Sequence, residues 1–102
     1  MARRPQVIWS SHARQDLREI RDYISKDSKE NARNFLAKIR AVASTLGNFP
    51  DKFVQVPELG HPYRQQILGN YRLIYSVSEK RLIVLGVFRT DRLLWKAIGN
   101  RL

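Results

Sequence analysis

One change of rhythm constrains this chain more than any other feature. Between residues 13 and 46 apolar side chains recur every three or four positions, and from residue 63 onward they recur every second position or run unbroken. The first period is that of one face of a helix and the second that of a strand. Ala13, Leu17, Ile20 and Ile24 make the first stripe, preceded by Ser10 and Ser11. Either serine can accept a hydrogen bond from the free amides of a first helical turn. Lys26 to Glu30 break the stripe, and a second one follows through Ala32, Phe35, Leu36, Ile39, Val42, Ala43 and Leu46, after which Gly47 offers a C-cap. The two amphipathic helices, joined by so short a break, pack as an antiparallel hairpin.

Strands come next. Tyr63–Leu68, Tyr71–Val77 and Leu82–Phe88 are separated by Gly69-Asn70 and by a turn near Glu79-Lys80, which makes a meander. The last strand is nearly all apolar, and this predicts a central place covered by the helices. Gln6–Ser10 is a further short β-prone run, and Arg92–Leu102 can form a short basic helix. Asn48–Pro62, with three prolines and Gly60, reads as a loop whose Val54, Val56 and Leu59 anchor on the core. Helices segregated from most strands predict an α+β fold: a short N-terminal strand, a helix hairpin on an antiparallel meander, and a C-terminal basic helix. With 102 residues there is room for one core, so residues 1–102 are read as a single domain.

Charge narrows the partner. Nineteen Lys and Arg against nine Asp and Glu give a formal +10, which favours a polyanion or an acidic protein. Residues 59–102 hold eight basic and two acidic side chains, residues 1–58 eleven and seven, so the second half is the expected contact surface. The absence of cysteine excludes a disulfide framework and a thiolate zinc site. Met1-Ala2-Arg3-Arg4 has the charge of a secretion-signal start, but only Val7, Ile8 and Trp9 follow before polar residues return. With no run near the roughly 20 apolar residues that span a bilayer, the expectation is a cytoplasmic chain without a membrane partner. His12 and Asp16, one helical turn apart, would supply two metal ligands, too few for a site; no metal or cofactor is expected. Arg14, Asp16, Arg18, Glu19, Arg21 and Asp22 read as a solvated mixed-charge face. Trp9 reads as core, and Tyr63, Tyr71 and Tyr75 read as core or half-buried packing rather than base-stacking platforms.

Four segments taken in order go further. They are Ala13-x-x-Asp16-Leu17-x-x-Ile20-x-x-Tyr23-Ile24, the loop Val56-Pro57-Glu58-Leu59, the hairpin Gly69-Asn70-Tyr71-Arg72-Leu73-Ile74-Tyr75-x-Val77, and Val87-Phe88-Arg89-Thr90-Asp91-Arg92. Over nearly the whole chain this order resembles the RelE/ParE superfamily of bacterial type II toxin–antitoxin toxins, and the later segments look more ParE-like. The resemblance implies a growth-inhibiting toxin of the plasmid-stabilisation kind, neutralised by a cognate antitoxin that wraps a segment around it, alone or as a dimer or hetero-oligomer. It also implies one of two targets. RelE-like members cut messenger RNA on the ribosome, and ParE-like members block DNA gyrase.

The residues weigh these. A ribonuclease of the RelE type needs a base, an acid and cations for the transition state. Arg64, Arg72, Arg89 and Arg92 are expected around an open face of the sheet and its C-terminal edge, where guanidinium groups can grip phosphate or dock an acidic antitoxin. If the nuclease reading holds, Arg64, Arg89 and Arg92 are the catalytic candidates. Yet Arg89 stands where many relatives carry His, and the C-terminal Tyr of RelE-type nucleases has no counterpart near Lys96. Arginine stabilises anions but shuttles protons poorly. Glu58 is a conceivable base, although a carboxylate there more often holds its loop. A ParE-like inhibitor needs only a surface that grips, and Arg89, Arg92, Trp95 and Lys96 in the tail offer charge with apolar anchors. The balance falls on a gyrase-binding inhibitor contacting target or antitoxin through Arg64, Arg72, Arg89, Arg92, Trp95 and Lys96. The ribosome-dependent endoribonuclease is second and a plain nucleic-acid-binding domain third.

Overall fold

The computed structural model describes residues 5–49 and 54–102, so the basic Met1–Arg4 segment and residues 50–53 of the proline-rich loop lie outside the described residues. The elements run β1 (Gln6–Trp9), α1 (Ser11–Ser25), α2 (Lys29–Leu46), β2 (Val54–Gln55), β3 (Tyr63–Leu68), β4 (Tyr71–Val77), β5 (Arg81–Arg89) and α3 (Leu94–Ile98). Both long helices start on serine: Ser10 Oγ accepts from the Ala13 amide and Ser28 Oγ from the Asn31 amide. Gly47 ends α2 in an ordinary right-handed conformation rather than the left-handed one a glycine cap usually serves. Its value is space, because a Cβ there would sit 3.2 Å from Val7 Cγ2 of β1. Gly69 does need its glycine, with φ +59° in the tight turn between β3 and β4.

The five strands form one sheet in the order β1-β5-β4-β3-β2. The meander β3-β4-β5 is antiparallel as expected, but β1 joins β5 in parallel, from Gln6 opposite Arg81 to Trp9 opposite Val84. The sheet is therefore mixed. A parallel pair needs a long crossover, which the helices and the meander together provide. The proline-rich loop also contributes the two-residue β2, paired with β3.

Both faces are covered. On one, α1 and α2 lay Leu17, Ile20, Ile39 and Leu46 over Leu73, Tyr75, Leu82, Val84 and Val87. On the other, Val56 from the loop and Leu94 and Ile98 from α3 close over Ile74, Leu85 and Phe88. Each large side chain removed from water in this way stabilises the fold by roughly 1.5–3 kcal/mol. Of the three expected loop anchors, Val56 is fully buried and Leu59 packs on the second cluster, whereas Val54 is exposed. The face expected to be open is thus filled.

Beyond Trp9, β1 gives way to α1 while β5 continues. Asp16 of α1 takes the vacated position: its Oδ2 accepts from the Val87 amide at 3.0 Å. Arg101 reaches across from the tail to the same carboxylate, with bonds of 2.6 and 3.0 Å. The Leu85 carbonyl accepts from Ser10 Oγ and from Arg101 Nη1. Asp16 is therefore buried, not part of a solvated face. A side chain at Gly86 would collide with Arg101, the Phe88 ring and the Asp16 carboxylate, so this clasp requires a glycine in β5.

Candidate functional site

Where α1 ends beside the far ends of β4 and β5, the cover of the sheet parts into a groove. It has two adjoining hollows of about 330 and 550 Å³, which share Tyr23, Tyr71 and Arg89 as common walls. The first runs toward the tail past Ile20, Arg92 and Ala97; the second runs along α2 past Asn31, Asn34, Phe35 and Lys38. Strand alternation explains the layout. Tyr71 and Arg89 are paired opposite each other in the β4–β5 ladder and stand on the helix-covered face. Tyr71 is steadied by Phe35, with ring centroids 5.3 Å apart. Tyr23, 59% exposed, closes the wall from α1.

Arg89 is the charged residue common to both hollows. Its guanidinium donates twice to Asp91, at 3.0 and 2.9 Å. That pairing raises the Arg89 pKa above its usual value, with a smaller contribution from Tyr23, and lowers that of Asp91, where Arg92 adds a weaker pull. Arg89 is accordingly a fixed cation that can bind an anion but cannot relay a proton. Among the described residues, no histidine lines either hollow, and no group of three or more His, Cys, Asp or Glu could hold a metal ion.

The residues expected to form one site separate into four places. Arg89 and Arg92 meet in the groove. Trp95 and Lys96 stand exposed on α3, beside it in sequence but outside its lining. Arg64 sits opposite Tyr75 on β3, and Arg72 lies on the other face next to Ile74, buried in the second cluster's surroundings. Arg72 is committed to the fold: it donates to Glu58 at 3.2 and 2.6 Å and to Gln65 at 3.0 Å, while its buried Nε has no partner. Glu58 is held below its ordinary pKa chiefly by the Arg72 hydrogen bond, so it holds the loop as an ionised tie. Period-two alternation alone could have separated Arg72 from Tyr71 and Tyr75. Nothing local announced the groove walls Tyr23 and Lys38, which come from different helices.

A family model described as the ParE toxin of type II toxin–antitoxin system, parDE, matches residues 7–94. Among solved structures, the chain resembles the chromosomal ParDE TA system from P. aeruginosa, at 20% identity and a TM-score of 0.74, covering 87% of this chain and 99% of that one. It also resembles the YoeB dimer from Staphylococcus aureus, at 16% identity and a TM-score of 0.59, with the same coverages. Both likenesses are of fold. No curated protein matches in sequence.

Proposed function

Since the chain belongs to the ParE toxin family of type II toxin–antitoxin systems, we propose that it is a one-domain cytoplasmic toxin that binds and inhibits DNA gyrase and is neutralised by an acidic antitoxin. The observation that carries this reading is the content of the groove: an ion-paired arginine and two tyrosines, with no histidine lining it among the described residues. Such a surface grips; it is poorly equipped to catalyse. The ribonuclease alternative also loses its open sheet face, because α3 and the loop cover the surface on which Arg72 and Glu58 lie. The contact residues under this reading are Arg89 and Arg92, with Trp95 and Lys96 beside them and Arg64 at a distance. An antitoxin segment bearing carboxylates would compete for the same cations and cancel much of the +10 charge.

The test is to induce the chain in growing bacteria and follow plasmid supercoiling, DNA damage and ribosome-bound messengers in one culture. Lost supercoiling with intact messengers is the expected result. Cleaved messengers with normal supercoiling would transfer the chain to the nuclease reading. The double change Arg89→Ala, Arg92→Ala should abolish toxicity without loss of fold, and full toxicity in that variant would sink the site assignment.

A further inference from the structure

The other flank of α1 carries a feature the groove does not use. Arg14, Arg18 and Arg21 follow each other at steps of four and three, which aligns them over about 10 Å of helix. Arg40 of α2 faces them across a small furrow of about 160 Å³, whose remaining lining is Leu17 and Leu36. The four arginines are exposed. Arg21 pairs with the adjacent Asp22 at 3.1 Å, both half in solvent, and Arg18 donates to the neutral Gln15. Among the described residues no carboxylate pairs with Arg14 or Arg40. Four guanidinium groups against one weakly held carboxylate make this a concentrated cationic patch, which shares no lining residue with the groove around Arg89.

We propose that this furrow is a second binding surface, which seats the phosphate backbone of duplex DNA. Guanidinium groups present paired donors that match phosphate oxygens. Among the described residues no aromatic side chain lines the furrow, so a single strand would find no platform there for its bases. An acidic amphipathic helix fits less well, because Leu17 and Leu36 are only 7% and 8% exposed and have little apolar surface left to bury against it. The choice of DNA over RNA rests on the gyrase reading, since an inhibitor of that enzyme works beside duplex DNA. Backbone contacts of this kind carry no sequence preference and weaken steeply with salt.

Anisotropy of a short labelled DNA duplex, titrated with the purified chain across a salt series and without gyrase, tests the furrow by itself. The triple change Arg14→Ala, Arg18→Ala, Arg40→Ala should flatten the slope of log affinity against log salt by about 2.7, three phosphates at about 0.9 each. Lys80→Ala, which removes an exposed cation outside both the furrow and the groove, should leave that slope alone. Should the triple variant fail to fold, Arg14→Gln tests the same claim at about a third of the effect. An unchanged slope in the furrow variants overturns the proposal. So does loss of binding to an acidic helical peptide in place of DNA, or tighter furrow-dependent binding to duplex RNA. A supercoiling assay on the same proteins keeps the two readings apart: failure to inhibit gyrase removes the target, and failure of the slope to move removes the furrow.

Discussion

One face of the sheet lies under the 15 and 18 residues of α1 and α2, whereas the other lies under the five residues of α3 and a single loop. The first cover is almost wholly apolar. The second is too thin to hold by packing alone, and two guanidinium–carboxylate pairs secure it: Arg72–Glu58 ties down the loop and Arg101–Asp16 ties down the tail. The Arg101 guanidinium also lies 4.9 Å from the centre of the Phe88 ring, so the same side chain closes the apolar cluster and pins the chain end. Where apolar cover is short, position is fixed by charge.

This contrast can be broken experimentally, beginning where the effect should be greatest. Ile39→Ala empties the centre of the thick face and should cost about 4 kcal/mol in denaturant unfolding, near the top of the range for such truncations. Asp16→Ala should cost about 3 kcal/mol, because it leaves Arg101 and the Val87 amide without their partner in a buried setting. A double-mutant cycle with Arg101→Ala measures how much of that loss belongs to the pair. Ile98→Ala on the thin face should cost about 2 kcal/mol, the low end of the same range, since a short tail helix can settle into the space. Equal losses at Ile39 and Ile98 would contradict the distinction between the faces.

The smallest effect concerns Glu58 and has a pH signature. Its folded pKa lies below the ordinary 4.5, so the Arg72 tie contributes stability above about pH 4.5 and loses it as pH falls through the lowered folded value. Glu58→Gln should therefore cost about 1 kcal/mol at neutral pH, limited by the partial exposure of the carboxylate. The difference from the parent chain should vanish in acid. A gap that persists under acidic conditions would mean that the hydrogen-bond shape of residue 58, not its charge, holds the loop.

Much of the fold was legible because its signals are local. The alternation in β3 and β4 and the Gly69-Asn70 turn place those strands at the residues the sequence suggests, and Ser10 marks the start of the first helix. What escaped depends on partners far along the chain. Nothing near Gln6–Trp9 says that its neighbour is 75 positions away and runs in the same direction. Asp16 looks like any carboxylate on a charged helix face until Arg101, 85 residues later, arrives beside it. The same limit applies to the candidate site. Arg89 and Arg92 are close in sequence and stay together; Arg72, assigned to them by charge alone, is sent to the other face by the pleat, and Arg64 lies at the opposite end of the strands from Tyr71 and Arg89.

The reach of Asp16 and Arg101 to β5 has one more consequence. Where β1 stops, β5 would present a naked margin of amide and carbonyl groups on the most apolar strand of the sheet, the arrangement that invites a foreign strand to add on and seed aggregates. Val87 and Leu85 have their bonding capacity on that margin taken by the side chains of Ser10, Asp16 and Arg101. The clasp thus leaves these groups of so apolar a strand already occupied, with no bonds on offer to an added strand.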